Sequence, residues 1–218
     1  MKRLLAVAVA LAPVFAAAEA TTWKIDPAHS SSGFAVKHLV VSTVRGQFGK
    51  TTGTIQVDDK DITKSKVDAQ VDVDTLTTGV GDRDNHLKSP DFFDAANNPT
   101  ITFKSTKVAK AGGDKLKVTG DLTMKGKTKP VTFDATYSKP ITGMKGEARR
   151  AFNATTTINR KDFGLNWSKT VEAGPVVSDK VVINIDVEAT KATPEDQQAK
   201  AGDATKEEKK DAKADDKK

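Results

Sequence analysis

The chain lacks cysteine and has few aromatic residues. None of its 218 residues is cysteine, and Phe, Trp and Tyr together make up 6% of them. Exported domains often supplement a small core with disulfides, and structural zinc sites usually rely on cysteine ligands. Neither device is available here. Stability must therefore come from apolar burial and from backbone pairing.

The positive charge of the chain is not concentrated. The formal net charge is +6, and the basic residues are mostly lysines spaced singly between other residues. A nucleic-acid-binding surface would group arginine with aromatic residues. We therefore expect no nucleic-acid partner and interpret the lysines as a solvated outer face.

The first 20 residues have the pattern of a secretory signal peptide. Met1-Lys2-Arg3 is basic, residues 4–18 are apolar and rich in alanine, and small residues allow cleavage after Ala18 or Ala20. This pattern is typical of a signal peptide, and the apolar run is too short for a membrane span. The sequence thus predicts export and release of the mature protein.

The last 28 residues have a different composition from the rest of the chain. Residues 191–218 contain no aromatic residue and no Val, Ile or Leu, and they are dominated by Lys, Asp, Glu and Ala. Such a segment cannot bury enough apolar area to offset its ordering entropy. We predict a disordered, solvated tail here, which leaves residues 21–190 as one domain.

Alternation with a period of two dominates residues 21–190 and predicts β-strands. Several strands place one apolar set on a single face, for example Val67, Ala69, Val71 and Val73; Leu116, Val118, Leu122 and Met124; Val131, Phe133, Ala135 and Tyr137; Ala148, Phe152, Ala154 and Ile158; and Ile183, Ile185, Val187 and Ala189. Turns such as Lys125-Gly-Lys-Thr-Lys129 and Gly112-Gly113 separate them. About eight such strands favour an all-β fold, either an antiparallel barrel or a sandwich.

The side chains on the apolar faces are slender. Ala69, Ala135, Ala154 and Gly120 occupy inward positions, where large aromatic residues are few. An eight-stranded barrel has an interior just wide enough for packed side chains or one small ligand. A barrel lined in this way is expected to be underfilled, and an underfilled apolar barrel is a binding pocket.

Residues 81–103 interrupt the strand pattern. Asp82 can begin a short turn, and Ser89-Pro90-Asp91 has the features of a helix start, with a hydroxyl at the cap and proline in the first turn. Asn98-Pro99 then predicts the end of the helix. We expect this segment to be a helical cap whose Leu87, Phe92 and Phe93 cover one open end or one side of the barrel.

A catalytic interpretation of the polar residues is the alternative. His29, Asp84 and His86 could form an acid–base cluster, yet no partner for metal binding and no G-x-S-x-G nucleophile motif accompanies them. We therefore expect no catalytic residue and no metal site.

Short motifs in the mature domain resemble those of a known family, and their order and spacing are specific. They are Trp23-Lys-Ile-Asp26, His29-Ser30, Phe34-Ala-Val-Lys-His38, Gly46-Gln-Phe48, Gly53-Thr-Ile55, Arg83-Asp-Asn-His-Leu-Lys-Ser89, Asp91-Phe-Phe-Asp94, Pro99-Thr-Ile-Thr-Phe103, Gly120-Asp-Leu-Thr-Met-Lys-Gly126 and Arg160-Lys-Asp-Phe-Gly164. From Trp23 to about Ala189 the chain resembles the YceI-like family, periplasmic polyisoprenoid-binding proteins. The resemblance implies an extended, eight-stranded lipocalin-like barrel with short helical cap segments.

The resemblance also implies a function. The protein would hold a long isoprenoid lipid, a polyprenyl chain or a quinone, in the barrel without a cofactor and without chemistry, for transport, storage or stress response in the periplasm. Alternation suggests that the ligand-binding residues on the strands are Phe34, Val36, Val71, Phe103, Leu122, Met124, Phe133 and Phe152. Leu87 of the cap, together with Phe92, Phe93 and Trp167 near the ends of the barrel, completes the suggested set. Transient membrane contact and a homodimer are further expectations. A periplasmic enzyme and a fully packed structural module remain the alternatives.

Overall fold

A computed structural model describes residues 20–171, 174–193 and 195–196. The predicted signal peptide, apart from Ala20, and most of the predicted tail lie outside these residues. Fourteen strands and one α-helix are described, with three short 3₁₀ turns at Ile62–Lys64, Val73–Thr75 and Arg160–Phe163. In chain order the elements are β1 (Thr21–Ile25), β2 (Ser31–His38), β3 (Ser42–Phe48), β4 (Thr51–Val57), β5 (Lys66–Asp72), β6 (Leu76–Thr77), α1 (Gly81–Lys88), β7 (Thr100–Lys110), β8 (Lys115–Met124), β9 (Lys127–Tyr137), β10 (Ile141–Thr142), β11 (Ala148–Asn159), β12 (Thr170–Val171), β13 (Gly174–Pro175) and β14 (Val177–Lys191).

The main sheet closes on itself as an eight-stranded antiparallel barrel, which confirms the predicted fold class. Three of the eight positions are shared by consecutive short strands, namely β1 with β2, β3 with β4, and β5 with β6. Strands β7, β8, β9, β11 and β14 complete the ring. Closure comes from β11, which pairs with β9 on one side and with β14 from Arg149↔Thr190 to Asn159↔Lys180 on the other. No edge runs the length of this ring, so its backbone groups are paired around the circumference.

Turn residues with positive φ join the central strands. The β8–β9 hairpin has only Lys125 and Gly126 between the paired residues Met124 and Lys127, and their φ values are 48° and 69°. A two-residue turn with both φ values positive matches the right-handed twist of the flanking strands. Both predicted hairpins are present, but the turn predicted over residues 125–129 is shorter, because residues 127–129 already belong to β9.

The segment between β6 and β7 lies across one end of the barrel, but its helix is not where part of the sequence pattern placed it. Helix α1 ends at Lys88, and Ser89 is its C-terminal cap, with its backbone N–H bonded to His86 O. The expectation of a helix beginning at Ser89-Pro90-Asp91 is therefore wrong. The Ser89 hydroxyl donates to His86 O at 2.7 Å and accepts from Asp91 N–H at 3.3 Å, but residues 89–97 form successive turns and not a helix.

Two clusters of buried apolar side chains lie along the barrel axis. One contains Phe48, Phe92, Phe133 and Phe163 next to the cap, and the other contains Trp23, Val57 and Val118 towards the opposite end. Phe103 and Ile185 pack against both. The core is thus continuous along the wall of the barrel, and no helix among the described residues is long enough to cross a bilayer.

Candidate functional site

A cavity of about 250 Å³ lies inside the barrel, and side chains from both ends line it. Val57 and Ile62 line it towards one end, and Leu87 and Phe92 line it beneath the cap. The wall consists almost entirely of the apolar faces of the strands. The barrel is therefore not filled by its own side chains, which argues against the fully packed module.

Most of the predicted ligand-binding residues lie at this cavity. The side chains that line it include Phe34, Val36, Val71, Leu87, Phe92, Phe93, Phe103, Leu122, Met124, Phe133 and Phe152. Trp167 is the exception. It lies behind Phe92 at a ring-centroid distance of 5.2 Å and is not among the lining residues. The ligand-binding role of all twelve remains a prediction.

The sequence analysis missed other lining residues. Val67, Ile183 and Ile185 belong to apolar faces that the alternation had identified, but they were not named as ligand-binding residues. Ile55 and Val181 also line the cavity, and the same alternation extended along their strands would have found them. Arg160 and the hydroxyl residues Ser32 and Thr51 also line the cavity. An inward pattern read from apolar residues alone cannot detect these three.

Glycine explains how aromatic residues can line the wall without filling the cavity. The Phe103 ring packs on Gly120 of the neighbouring strand, where a Cβ would lie 2.6 Å from Phe103 Cζ. The Phe34 ring packs in the same way on Gly46, where a Cβ would lie 2.6 Å from Phe34 Cε1. Because each ring occupies the space of a missing side chain, it lies along the wall and leaves the axis open.

The end of the barrel away from the cap is closed by side chains that the strands carry inward. Arg150 of β11 is buried between two rings, with Cζ 5.7 Å from the centroid of Trp23 and 5.1 Å from that of Tyr137. Its Nε donates to Ser138 O at 2.6 Å, and Nη1 forms an ion pair with Asp59 Oδ1 at 2.9 Å. These cation–π and ionic contacts close the interior at this end.

At the cap end, three rings form a cluster. His86 contacts Phe92 and Trp167 edge-to-face, each with centroids 5.1 Å apart. Phe93 contacts Phe48 of β3 in the same geometry at 5.6 Å. The expectation that Phe92 and Phe93 cover one end of the barrel is thus met by their position.

Arg160 fastens the loop that follows β11 to the start of β14. Its guanidinium donates to the backbone oxygens of Leu165, Trp167 at 2.8 Å and Ser178 at 3.0 Å, and it forms an ion pair with Asp179. Burial lowers the pKa of Arg160 from its ordinary value, and the Asp179 carboxylate partly opposes this effect. Since its donors are directed at backbone oxygens, Arg160 holds the loop and is not a free cation in the cavity.

The three residues of the catalytic hypothesis have separate partners. His29 Nδ1 lies 2.8 Å from Asp26, and His86 Nε2 lies 2.9 Å from Asp91. Asp84 accepts hydrogen bonds from the backbone N–H of Thr78 at 2.7 Å and from the hydroxyls of Thr77 and Thr78. Burial raises the pKa of Asp84, but these hydrogen bonds outweigh it, so the pKa lies below its ordinary value. Asp84 is an acceptor that anchors α1 and forms no acid–base pair with His86.

One group of side chains among the described residues has the ligand types of a metal site. Asp26, His29 and Glu188 bring one ligand atom each within 4.8 Å of one another. The Arg149 guanidinium already bonds to both Asp26 and Glu188. The hydrogen bond to His29 is the main cause of the lowered pKa of Asp26. Hydrogen bonds to Glu147 first, and then to Glu188 and Asp26, raise the pKa of Arg149. This arrangement is an ion-pair network whose cation is arginine.

Comparison with known proteins agrees with this architecture. The YceI-like domain matches residues 23–189. A UPF0312 protein of Vibrio parahaemolyticus is 41% identical over 163 residues, which cover 74% of this chain and 85% of that protein. The crystal structure of Burkholderia cenocepacia BcnA superposes with a TM-score of 0.68 at 27% identity, covering 78% of this chain and 99% of that one.

A third protein shares the fold at low sequence identity. It is a polyisoprenoid-binding domain from Saccharophagus degradans, with a TM-score of 0.61 at 14% identity and coverage of 79% of this chain and 99% of that one. The family match spans nearly all of the barrel, from β1 to the end of β14. The chain therefore belongs to the family of YceI-like domain proteins.

Proposed function

We propose that this protein binds a long-chain isoprenoid lipid, a polyprenyl chain or an isoprenoid quinone, inside the barrel and performs no chemistry on it. The observation that carries the proposal is the apolar cavity along the barrel axis. Such a cavity suits a slender hydrocarbon chain, because burial of apolar surface contributes about 25 cal/mol per Å². Ordering of the chain and the cost of association reduce that gain.

The remaining structure supports binding more than catalysis. Asp84 and the two histidines are occupied by local hydrogen bonds, and the cavity wall offers few polar groups to polarise a substrate. The shared fold with a polyisoprenoid-binding domain supports an isoprenoid ligand. Export to the periplasm and a role in transport, storage or stress response belong to the same proposal, as does a homodimer.

The test compares two variants on one strand. Ala154 of β11 faces the cavity, whereas Ala151 of the same strand is exposed on the outer face. Protein from its own host is extracted with solvent, and the lipid is identified and quantified by mass spectrometry. Wild type and Ala151→Phe are expected to carry isoprenoid in stoichiometric amount, whereas Ala154→Phe, which fills the axis, carries much less.

The same experiment can contradict the proposal. Wild-type protein that carries no isoprenoid, and that also fails to take up added ubiquinone-8 or polyprenol, would argue strongly against a lipid-binding function. Equal lipid content in Ala151→Phe and Ala154→Phe would exclude the barrel interior as the site.

The predicted membrane contact is proposed to involve the tip between β2 and β3. Val40 is 67% exposed and Val41 is 83% exposed, and Leu39 and Val40 have φ values of 50° and 61°. A positive φ is unfavourable for a β-branched residue, so this tip displays apolar groups at a conformational cost. Lys37 and Arg45 on the flanking strands are exposed and would favour an anionic bilayer.

Sedimentation with vesicles of phosphatidylglycerol and phosphatidylethanolamine tests this contact. The Val40→Asp/Val41→Asp variant should bind several-fold less than wild type, because the aspartates oppose insertion and repel anionic lipid. Met144→Asp changes a fully exposed apolar residue between β10 and β11 and serves as the control. If the control loses as much binding as the tip variant, the tip is not the contact.

A further inference from the structure

Two hydroxyl groups face an otherwise apolar part of the cavity. Ser32 is 5% exposed and Thr51 is 2% exposed, and both line the cavity. Ser32 shares the inward face of β2 with Phe34 and Val36, and Thr51 shares that of β4 with Ile55 and Val57. The alternation of the strands therefore directs both side chains inward.

The two hydroxyls form a hydrogen bond with each other at a place where no described backbone hydrogen bonds join their two strands. The Oγ–Oγ1 distance is 2.8 Å. Strand β2 pairs with β14 and β3, whereas β4 pairs with β1 and β5, so this side-chain bond joins strands at adjacent positions of the ring that share no described backbone pairing. This hydrogen bond lies where the chain passes from β1 to β2 at one position of the ring and from β3 to β4 at the next.

The hydrogen-bond capacity of this pair is not used up. Two hydroxyls contribute two hydrogens, and the bond between them uses one. Among the described residues, neither hydroxyl has another hydrogen-bond partner. One buried O–H and several lone pairs are therefore left in an apolar wall, where an unmade hydrogen bond is costly.

We propose that the Ser32–Thr51 pair is a subsite for a hydrogen-bond-accepting oxygen of the bound lipid, which rests on the proposed lipid-binding function. The free hydroxyl donates to a carbonyl or ether oxygen, and apolar carbons occupy the cavity on either side. The pair thereby selects an oxygen-bearing lipid over a hydrocarbon of the same chain. The oxygen lies within the barrel wall and not outside the cap.

A matched pair of probes tests the subsite directly. Phytanyl methyl ether carries one accepting oxygen, whereas phytane has the same saturated branched chain without the methoxy group. The protein is equilibrated with equal amounts of both in detergent, reisolated and extracted, and the bound lipids are quantified. A single buried hydrogen bond should enrich the ether about three- to tenfold in wild type.

Two double variants separate the subsite from general effects on the barrel. Ser32→Ala/Thr51→Val removes both inward hydroxyls, and we expect it to bind the ether and phytane nearly equally. Ser31→Ala/Thr52→Val removes hydroxyls at the adjacent outward positions and should keep the preference of wild type.

The results distinguish failure of the subsite from failure of lipid binding itself. No preference in wild type, or a preference that Ser32→Ala/Thr51→Val retains, overturns the subsite while leaving lipid binding intact. Failure of wild type to take up either probe overturns lipid binding and the subsite together. If the inward double variant does not fold, the wild-type ratio alone still decides, since equal uptake contradicts the subsite.

Discussion

The two ends of the barrel are closed by different kinds of structure. At one end, Trp23, Tyr137 and Arg150 project inward from three strands, and the Arg150 guanidinium lies over both rings. At the other end, the cover is the inserted segment between β6 and β7. Its helix α1 contains no fully buried residue and is held by the hydrogen bonds of Asp84 and by the bond from Arg83 Nε to the Thr78 hydroxyl at 2.7 Å.

This difference shows which end can open at the lower cost. Separating Trp23 and Arg150 would require breaking strand pairs, whereas lifting the cap breaks a few polar contacts and exposes a small number of rings. Local opening is easiest where buried apolar contacts are few. We infer that the cap end opens more readily than the end that Trp23 and Arg150 close.

The largest expected effect contrasts the two tryptophans. Trp23 is 2% exposed, whereas Trp167 is half-buried in the cap cluster. Trp23→Ala should lower the free energy of unfolding by about 3–5 kcal/mol, because it leaves a cavity at the end of the barrel opposite the cap. Trp167→Ala should cost about 1–2 kcal/mol through lost ring contacts. Denaturation in urea measures both, and similar losses would contradict the distinction between the ends.

A smaller effect is expected where the cap meets the barrel wall. A Cβ at Gly46 would clash with the Phe34 ring and lie 2.8 Å from Cγ2 of Thr78, the residue to which Asp84 of α1 is hydrogen-bonded. Gly46→Ala should cost about 1–3 kcal/mol through overpacking and should reduce lipid uptake, because it pushes the Phe34 ring towards the axis. Denaturation and lipid extraction give the two measurements.

Gly33→Ala is the matched control on the neighbouring strand. The closest atoms to its Cβ would be backbone oxygens at 3.5 Å and 3.7 Å, which are ordinary contacts. Wild-type lipid content is expected for this variant. Unchanged lipid content in Gly46→Ala as well would show that the Phe34 ring does not set the width of the cavity.

The smallest expected effect concerns the pH dependence of the cap. The pKa of Asp84 is lowered in the folded state, so its ionised form stabilises the fold above the unfolded pKa, near 3.8, and this contribution disappears as pH falls through the folded pKa. Asp84→Asn should therefore lower the melting temperature slightly at pH 7, and the difference from wild type should vanish in acid.

Asp82→Asn provides the control, since Asp82 is exposed on the same helix. Its melting temperature should follow that of wild type across the pH range. A difference for Asp84→Asn that persists unchanged to pH 2 would show that the carboxylate charge is not what anchors α1.

Much of the barrel could be predicted from the sequence because its signal is local. The alternation in β5, β8, β9 and β14 identified the inward face correctly, and eleven of the twelve suggested residues lie at the cavity. Trp167 was expected near an end of the barrel and lies in the cap cluster behind Phe92, where the loop held by Arg160 places it. The supposed helix start at Ser89 failed although its hydroxyl does accept from Asp91 N–H, because residues 89–97 form successive turns and Ser89 caps the end of α1.

The polar residues of the interior could not be predicted in this way. Arg150 occupies an inward position of β11 that a pattern of apolar residues passes over, and its burial depends on rings from β1 and β9. Ser32 and Thr51 are 19 residues apart in the sequence, and their hydroxyls meet only because the folded ring brings β2 and β4 together. Such contacts depend on register around the whole ring.

By itself, the sequence determined that this protein is built from one-sided strands with a slender apolar face, because side-chain direction in a strand follows from alternation alone. Only the tertiary structure decided that the ring closes through β11 and β14, that aromatic rings rest on glycines and leave the axis open, and that two hydroxyls meet in the wall. These features arise from pairing between strands distant in sequence, where no local pattern specifies the neighbour.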